Sequence, residues 1–177
     1  MPGQLHMVWP EDQWNRLPPI QLPSEYELRL YRHGDEADYL TLMHRAGFQD
    51  WTPDMVTTWV DKPLPNGLFF VVHAPSQQIV ATAMATHNPT ALHPNGGELG
   101  WVAGDPDHAG KRLGAAVCWA VMRRYREAGY GHVYLKTDDW RLPAIKVYLK
   151  MGFAPLMHEP DMEERWRAIC ARLQWPI

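Results

Sequence analysis

A glycine-bearing turn, Asp105 to Gly114, carries an alternating stretch straight into a long apolar-striped one, and that sequence of events narrows what the chain can become. Glu98 to Ala103 reads as a strand. After the turn, Leu113, Val117, Val121 and Tyr125 recur at the spacing of one helical face, and Gly129 supplies a stop, so the pattern predicts a helix to about Ala128. A strand delivered into a helix through such a turn prepares an anion site. The first-turn N–H groups lack intrahelical partners, and the helix dipole adds partial positive charge. Gly110 and Gly114 allow close approach of a ligand, while Lys111 and Arg112 bring two full charges. The turn carries neither the GxxxxGK[ST] of a P-loop nor the GxGxxG of a dinucleotide fold.

Upstream the pattern is mixed. Residues 1 to 24 hold five prolines (Pro2, Pro10, Pro18, Pro19 and Pro23) with Trp9 and Trp14. Proline removes backbone donors, so this stretch is expected to be neither a regular helix nor a central strand, but an extended arm packed by its tryptophans, with a lid or a dimer contact as the alternative. From residue 25 to 177 we expect one domain. Tyr26, Leu28 and Leu30 alternate as in a half-buried strand. Asp35 is placed to cap a helix ending at Gly47, and Thr52-Pro53 to start a second that ends at Pro63. Leu68 to Val72 and Ile79 to Met84 suggest a hairpin, and His87 to Gly97 a loop. Beyond the long helix, His132 to Lys136 alternates again. Asp138 or Asp139 then caps a helix with Pro143 in its first turn and Gly152 at its end, and Phe153 to Leu156 forms a short strand. Asp161 and Glu164 form a candidate capping box for a last amphipathic helix.

The helix ending at Gly152 adds a second motif, Ala144 with Tyr148 one turn on and Gly152-Phe153 after it. Together with Ala109-Gly110-Lys111-Arg112-Leu113-Gly114, this resembles the GNAT superfamily of N-acetyltransferases across Tyr26 to Phe153. There a bulged strand precedes a pyrophosphate loop, [RQ]-x-x-G-x-[GA], and a later helix reads Asn-x-x-Ala-x-x-x-Tyr-x-x-x-Gly-Phe. The second segment is loosely similar to that of mycothiol-synthase-type members. The chain departs from the pattern at Ala109, where Arg or Gln is usual, at Arg112, where the middle glycine stands, and at Arg141, where Asn is usual. An L-residue fits the glycine position if its φ stays negative.

The resemblance implies an α+β fold, a central mixed sheet of six or seven strands with helices on both faces. It implies acetyl-CoA as acyl donor, with backbone groups of Val102, Ala103 and Gly104 along the pantetheine arm and Ala109 to Ala115 (including Leu113), with Arg141, as cofactor-binding residues. Tyr148 would be the general acid for the departing thiolate. Attack on a thioester needs a neutral amine, hence a base. Glu98 heads the bulged strand and is our first candidate, with His108, His87 and Asp139 as alternatives. Trp51, Trp59 and Trp101 are candidates for lining an acceptor pocket. The acceptor would be a small-molecule or peptide amine, and the protein a monomer or homodimer. The runner-up is a GNAT-shaped module that binds acyl-CoA or a partner without turnover.

Composition excludes other classes. A formal charge of −3 with dispersed Lys and Arg gives no nucleic-acid footprint. Cys118 and Cys170 stand far apart without CxxC spacing, which disfavours a disulfide framework or zinc site and favours a reducing, cytoplasmic setting. The nine histidines lack HExxH spacing, so no metal is expected. The longest apolar run, Leu113 to Met122, is about half a membrane span, and the Met1 region lacks the order of a signal peptide.

Overall fold

The protein is described by a computed structural model covering residues 3–176; Pro2 lies outside them. In chain order its strands are β1 (Leu5–Val8), β2 (Tyr26–Leu30), β3 (Pro63–His73), β4 (Gln78–His87), β5 (Gly97–Gly104), β6 (Val133–Thr137) and β7 (Ala154–Leu156). Its helices are α1 (Glu36–Arg45), α2 (Pro53–Val60), α3 (Leu113–Glu127), α4 (Leu142–Met151) and α5 (Met162–Leu173). The strands form one mixed sheet in the order β2-β3-β4-β5-β6-β1-β7, antiparallel throughout except for β5 beside β6. Adjacent residues of β3 point to opposite faces: Phe70 joins the core under α1 and α2, Val71 the core under α3, α4 and α5. This is the expected α+β sheet with helices on both sides.

The first twenty-four residues depart from expectation. Leu5–Val8 is an interior strand, antiparallel to both β6 and β7. The described prolines begin at Pro10, so this tract keeps every ladder donor, and Leu5 and Met7 alternate inward at 0% exposure. A short 3-10 turn, Glu11–Arg16, follows. Trp9, as expected, is packed on the domain, edge-on to Trp14, Trp119 and Phe153.

Caps also differ. Thr52 accepts from the Met55 N–H as predicted, at 3.2 Å. Asp35 flanks α1 without capping it, because its carboxylate takes Arg29 at 2.7 and 2.8 Å and the Arg32 N–H at 2.7 Å. Asp161 likewise makes no capping bond, so the expected box with Glu164 is not formed. Arg141, not Asp138 or Asp139, occupies the cap of α4, and Asp139 is drawn to Arg165 instead. Pro63 ends no helix; it opens β3.

Beside the sheet's far half lies a file of imidazoles. His6 Nδ1 is 2.9 Å from His93 Nε2, and His93 Nδ1 is 2.9 Å from His132 Nε2. The His93 ring stacks on Tyr134 at 3.8 Å. Burial, then the neighbouring His158, pushes His6 down to about 4, and burial, then His6, does the same to His93. Both folded-state values lie below the unfolded 6.5, so proton uptake favours unfolding. The stability contributed by neutral imidazoles is complete above about pH 6.5 and lost as pH falls towards 4. Asp105 and Asp139, held low by Arg45 and Arg165, give way only below the usual aspartate range. The urea midpoint is therefore expected to drop between pH 6.5 and 4, and His93→Gln with His6→Gln should flatten that limb. An unchanged limb in the double variant would place the titration elsewhere.

Candidate functional site

The site begins with a defect in the ladder. Thr82 pairs with Ala103 and Met84 with Gly100, so Trp101 and Val102 together face the single residue Ala83. This is a β-bulge, and Trp101 takes the left-handed conformation, φ 45°. On its other side β5 pairs with β6 only at Gly97–Val133 and Glu98–Tyr134. Beyond Glu98 the two strands diverge, leaving the edge of Leu99 to Gly104 without a ladder partner on that side.

Clefts open at this divergence. One, of about 620 Å³, is bounded by Gly104, Ala109, Gly110, Arg112, Leu113, Gly114 and Ala115, with Val147, Lys150 and Met151 of α4. The other, of about 520 Å³, is bounded by Glu98, Trp101, Val102, Lys136, Arg141 and Tyr148, with Phe48, Asp50, Trp59, Asp138 and Trp140. Helix α4 lines both, one face on each.

The turn before α3 has the conformation of an anion cradle. Gly110 and Arg112 have φ of 80° and 61°, and the first backbone N–H of α3 with an intrahelical partner is that of Ala116, bonded to the Arg112 carbonyl at 3.0 Å. Leu113, Gly114 and Ala115, whose N–H groups come just before it, line the first cleft. The expectation of a negative φ at Arg112 is thus overturned. The turn keeps its glycine-type geometry at this position, at a cost of about 1–2 kcal/mol for an L-residue. Arg45 braces the turn from α1, gripping Asp105 at 2.6 and 2.9 Å and also Asp107. Lys111 is turned to Tyr26, its Nζ 2.8 Å from the hydroxyl and 5.3 Å from the ring centre. Of the expected cofactor residues, then, Gly104, Ala109, Gly110, Arg112, Leu113, Gly114 and Ala115 share the first cleft. Val102 and Arg141 lie on the second, and Ala103 is buried in its pairing with β4.

Tyr148 and Glu98 meet on the second cleft. Tyr148 is 5% exposed, and burial, with a contribution from Cys118, raises its hydroxyl far above the usual tyrosine range. It remains a neutral O–H donor at any ordinary pH. The Glu98 carboxylate is held by three neighbours: the Asn88 amide, Lys136 at 3.2 Å and the Tyr134 hydroxyl at 3.4 Å. None of the three was evident in the sequence, because Asn88 comes from the loop and the others from β6. The alternative bases are elsewhere. His108 hydrogen-bonds Tyr26 at 2.8 Å beside the first cleft, His87 contacts the Tyr130 hydroxyl at 2.9 Å, and Asp139 is committed to Arg165. Trp59 and Trp101 line the second cleft, whereas Trp51 is buried in the core. Among the described residues no group of three or more His, Cys, Asp or Glu is placed to hold a metal, and no helix is long and apolar enough to cross a membrane.

Splayed strands, an amide-lined turn and a tyrosine helix across the gap define a class of folds rather than one protein. Comparison gives the class its family: the family model described as "Acetyltransferase (GNAT) family" matches residues 24–153. The chain belongs to the GNAT acetyltransferase family. Curated relatives include mycothiol acetyltransferase from Nocardia farcinica, 29% identical over 152 residues, covering 79% of this chain and 49% of the relative. The Rhodococcus jostii mycothiol acetyltransferase is 30% identical over 149 residues, covering 77% and 48%. The chain thus spans about half the length of these relatives. Among solved structures, a GCN5-related N-acetyltransferase from Sphaerobacter thermophilus superposes with a TM-score of 0.65 at 20% identity, covering 88% of this chain and 50% of that one. A tandem GNAT protein from the clavulanic acid biosynthesis pathway gives 0.66 at 18%, with the same coverage.

Proposed function

We propose that this domain moves an acetyl group from acetyl-CoA to a primary amine of a small molecule or peptide, by direct attack within a ternary complex. One juxtaposition carries the reading: α4 presents Tyr148 to the cleft on the open β5 edge, and Val147 and Met151 to the cleft of the amide-lined turn. A thioester whose phosphates rest on the turn would extend along β5 toward Tyr148. The N–H groups from Gly110 to Ala115 suit the pyrophosphate, and backbone groups of Val102 to Gly104 suit the amides of the pantetheine arm. Glu98 takes a proton from the acceptor ammonium. The nitrogen then bonds to the acyl carbon, the C–S bond breaks while Tyr148 hydrogen-bonds the departing sulfur, and the second ammonium proton leaves the nitrogen for that sulfur to give the free thiol. We take the setting to be cytoplasmic, in keeping with two free, buried thiols.

The strongly raised Tyr148 limits how much it can contribute. A thiol near 8.5 is a stronger acid than an ordinary tyrosine, and more so than the raised Tyr148, so full transfer from this buried phenol to a thiolate runs uphill. Tyr148 therefore stabilises the leaving sulfur mainly as a hydrogen-bond donor. General acid catalysis is worth about 10²–10⁴-fold, and we expect the low end, about 10²-fold. Tyr148→Phe should lower kcat by that factor, with acetyl-CoA affinity unchanged, measured as thiol release and by calorimetric titration. Full activity in the variant would remove Tyr148 from the mechanism. A large fall in Tm would make it a packing residue.

A further inference from the structure

Arg141 stands where the family pattern has asparagine, and its surroundings differ from those of Arg29, Arg45 and Arg165. Arg29, Arg45 and Arg165 each grip an aspartate through two nitrogens: Asp35 at 2.7 and 2.8 Å, Asp105 at 2.6 and 2.9 Å, Asp139 at 3.0 and 2.5 Å. The nearest carboxylate to Arg141 is that of Asp138, 3.9 Å from Nε, beyond hydrogen-bond reach. Yet the Arg141 side chain is only 19% exposed. It is held instead by aromatic faces, its guanidinium carbon 4.1 Å from the Phe48 ring centre and 5.0 Å from that of Trp140. These rings fix the guanidinium from the α1 side and from its own neighbour while leaving its N–H fork uncommitted among the described residues.

Its five donors have no protein partner among the described residues but keep contact with solvent, so the fork is open to a ligand anion that would replace water with charge-assisted hydrogen bonds. The fork matches a planar carboxylate with two parallel hydrogen bonds. The pyrophosphate cradle is lined by other residues, so the anion sought here is a different one. The cleft is also asymmetric in charge. Glu98, Asp50 and Asp138 line it with Lys136 and Arg141, and Lys136 is already paired with Glu98. Carboxylates for an ammonium and one uncommitted guanidinium for a carboxylate describe a zwitterion.

We propose that Arg141 anchors the carboxylate of the acceptor, which is of the α-amino-acid class, with its ammonium directed to Glu98. The inference rests on the acetyl-transfer reading and names its substrate class. The new C–N bond forms at the α-nitrogen and the thioester C–S bond breaks; one ammonium proton passes to Glu98, a second goes to the departing sulfur, and the products are an N-acetyl amino acid and the free thiol.

The test is a binding measurement that needs no turnover. The CoA-saturated full chain is titrated by calorimetry with N-acetyl-glycine, -alanine, -phenylalanine and -glutamate and with the matching carboxamides. We expect at least one carboxylate to bind tenfold or more tightly than its amide, and Arg141→Gln to erase that gap with Tm unchanged. Arg141→Lys, which keeps charge and loses the fork, should restore only part of it. No binding of any carboxylate, no gap, or a gap that survives Arg141→Gln would overturn the assignment. So would a variant whose altered preference lies between succinyl-CoA and acetyl-CoA, since Arg141 would then read the acyl chain. Thiol release from acetyl-CoA with carboxylate-free amines judges the transfer reading separately, and turnover there without the carboxylate preference would sink only the inference.

Discussion

Gly114→Glu is expected to lower acetyl-CoA affinity by at least about 10²-fold while leaving the fold as stable as before, or slightly more so. Gly114 lies in the first turn of α3, on the cleft of the amide-lined turn. A Cβ added there meets nothing within 4 Å, and the residue does not have a positive φ, so the backbone tolerates a side chain. Replacing a helical glycine recovers about 0.5–1 kcal/mol. A carboxylate near a helix N-terminus adds about 0.3–1 kcal/mol more. That same carboxylate would face the pyrophosphate. Two like charges about 5 Å apart at an effective dielectric of about 20 repel by about 3 kcal/mol, or about 10²-fold in Kd, before any steric exclusion. Calorimetric titration with CoA and a melting curve without it separate the two effects. Undiminished affinity would mean that the phosphates rest somewhere other than this turn, and a lower Tm without ligand would mean that the glycine serves the fold.

The local signals in the chain predicted most of the elements, and the misses share a cause. Thr52-Pro53 names its helix because cap and first turn are adjacent residues. Asp35, Asp139 and Asp161 failed as caps because arginines from other segments, or one turn ahead in the case of Asp161, claim their carboxylates. No local rule contains those partners. β1 was missed for a similar reason. Four residues between prolines carry little periodicity, and only β6 and β7 on either side make them a strand.

The site divides the same way. The turn and Tyr148 were legible because each belongs to a short motif whose spacing survives in sequence. The neighbours of Glu98 were not, since Asn88, Tyr134 and Lys136 come together only through the pairing of β5 with β6. Arg141 was legible as a departure from pattern but not in its consequence. The aromatic rings that hold it come from the turn after α1 and from Trp140, and its cleft is the one across α4 from the turn.

Gly97 shows what a loop of asparagine, proline and glycine can conceal, and Gly97→Ala is expected to destabilise the protein by about 2–3 kcal/mol. The sequence suggests a loop there, yet Gly97 begins β5, bonding the His132 carbonyl at 3.1 Å and pairing with both His87 and Val133. A Cβ at this position would lie 2.3 Å from Cε1 and 2.8 Å from Cζ of Tyr125. The ring has little freedom to retreat. It is fully buried, its edge meets Tyr130 at 5.0 Å, and its hydroxyl lies 2.9 and 2.7 Å from the Thr86 and Glu98 carbonyls. Forcing a methyl into such packing costs about 1–3 kcal/mol, and breaking a buried hydroxyl contact adds about 1. For a domain of this size, each kcal/mol lowers Tm by about 2–4 °C, so a fall of roughly 4–12 °C is expected. Because β5 carries Glu98 and the bulge, activity should fall as well, even at temperatures where the variant remains folded. Gly97→Ala combined with Tyr125→Leu should lose less than the sum of the two single changes, since the smaller side chain vacates the contested space. A Tm within 2 °C of the wild type for Gly97→Ala alone would show that the ring yields and that the close approach of strand and helix is not what the glycine protects.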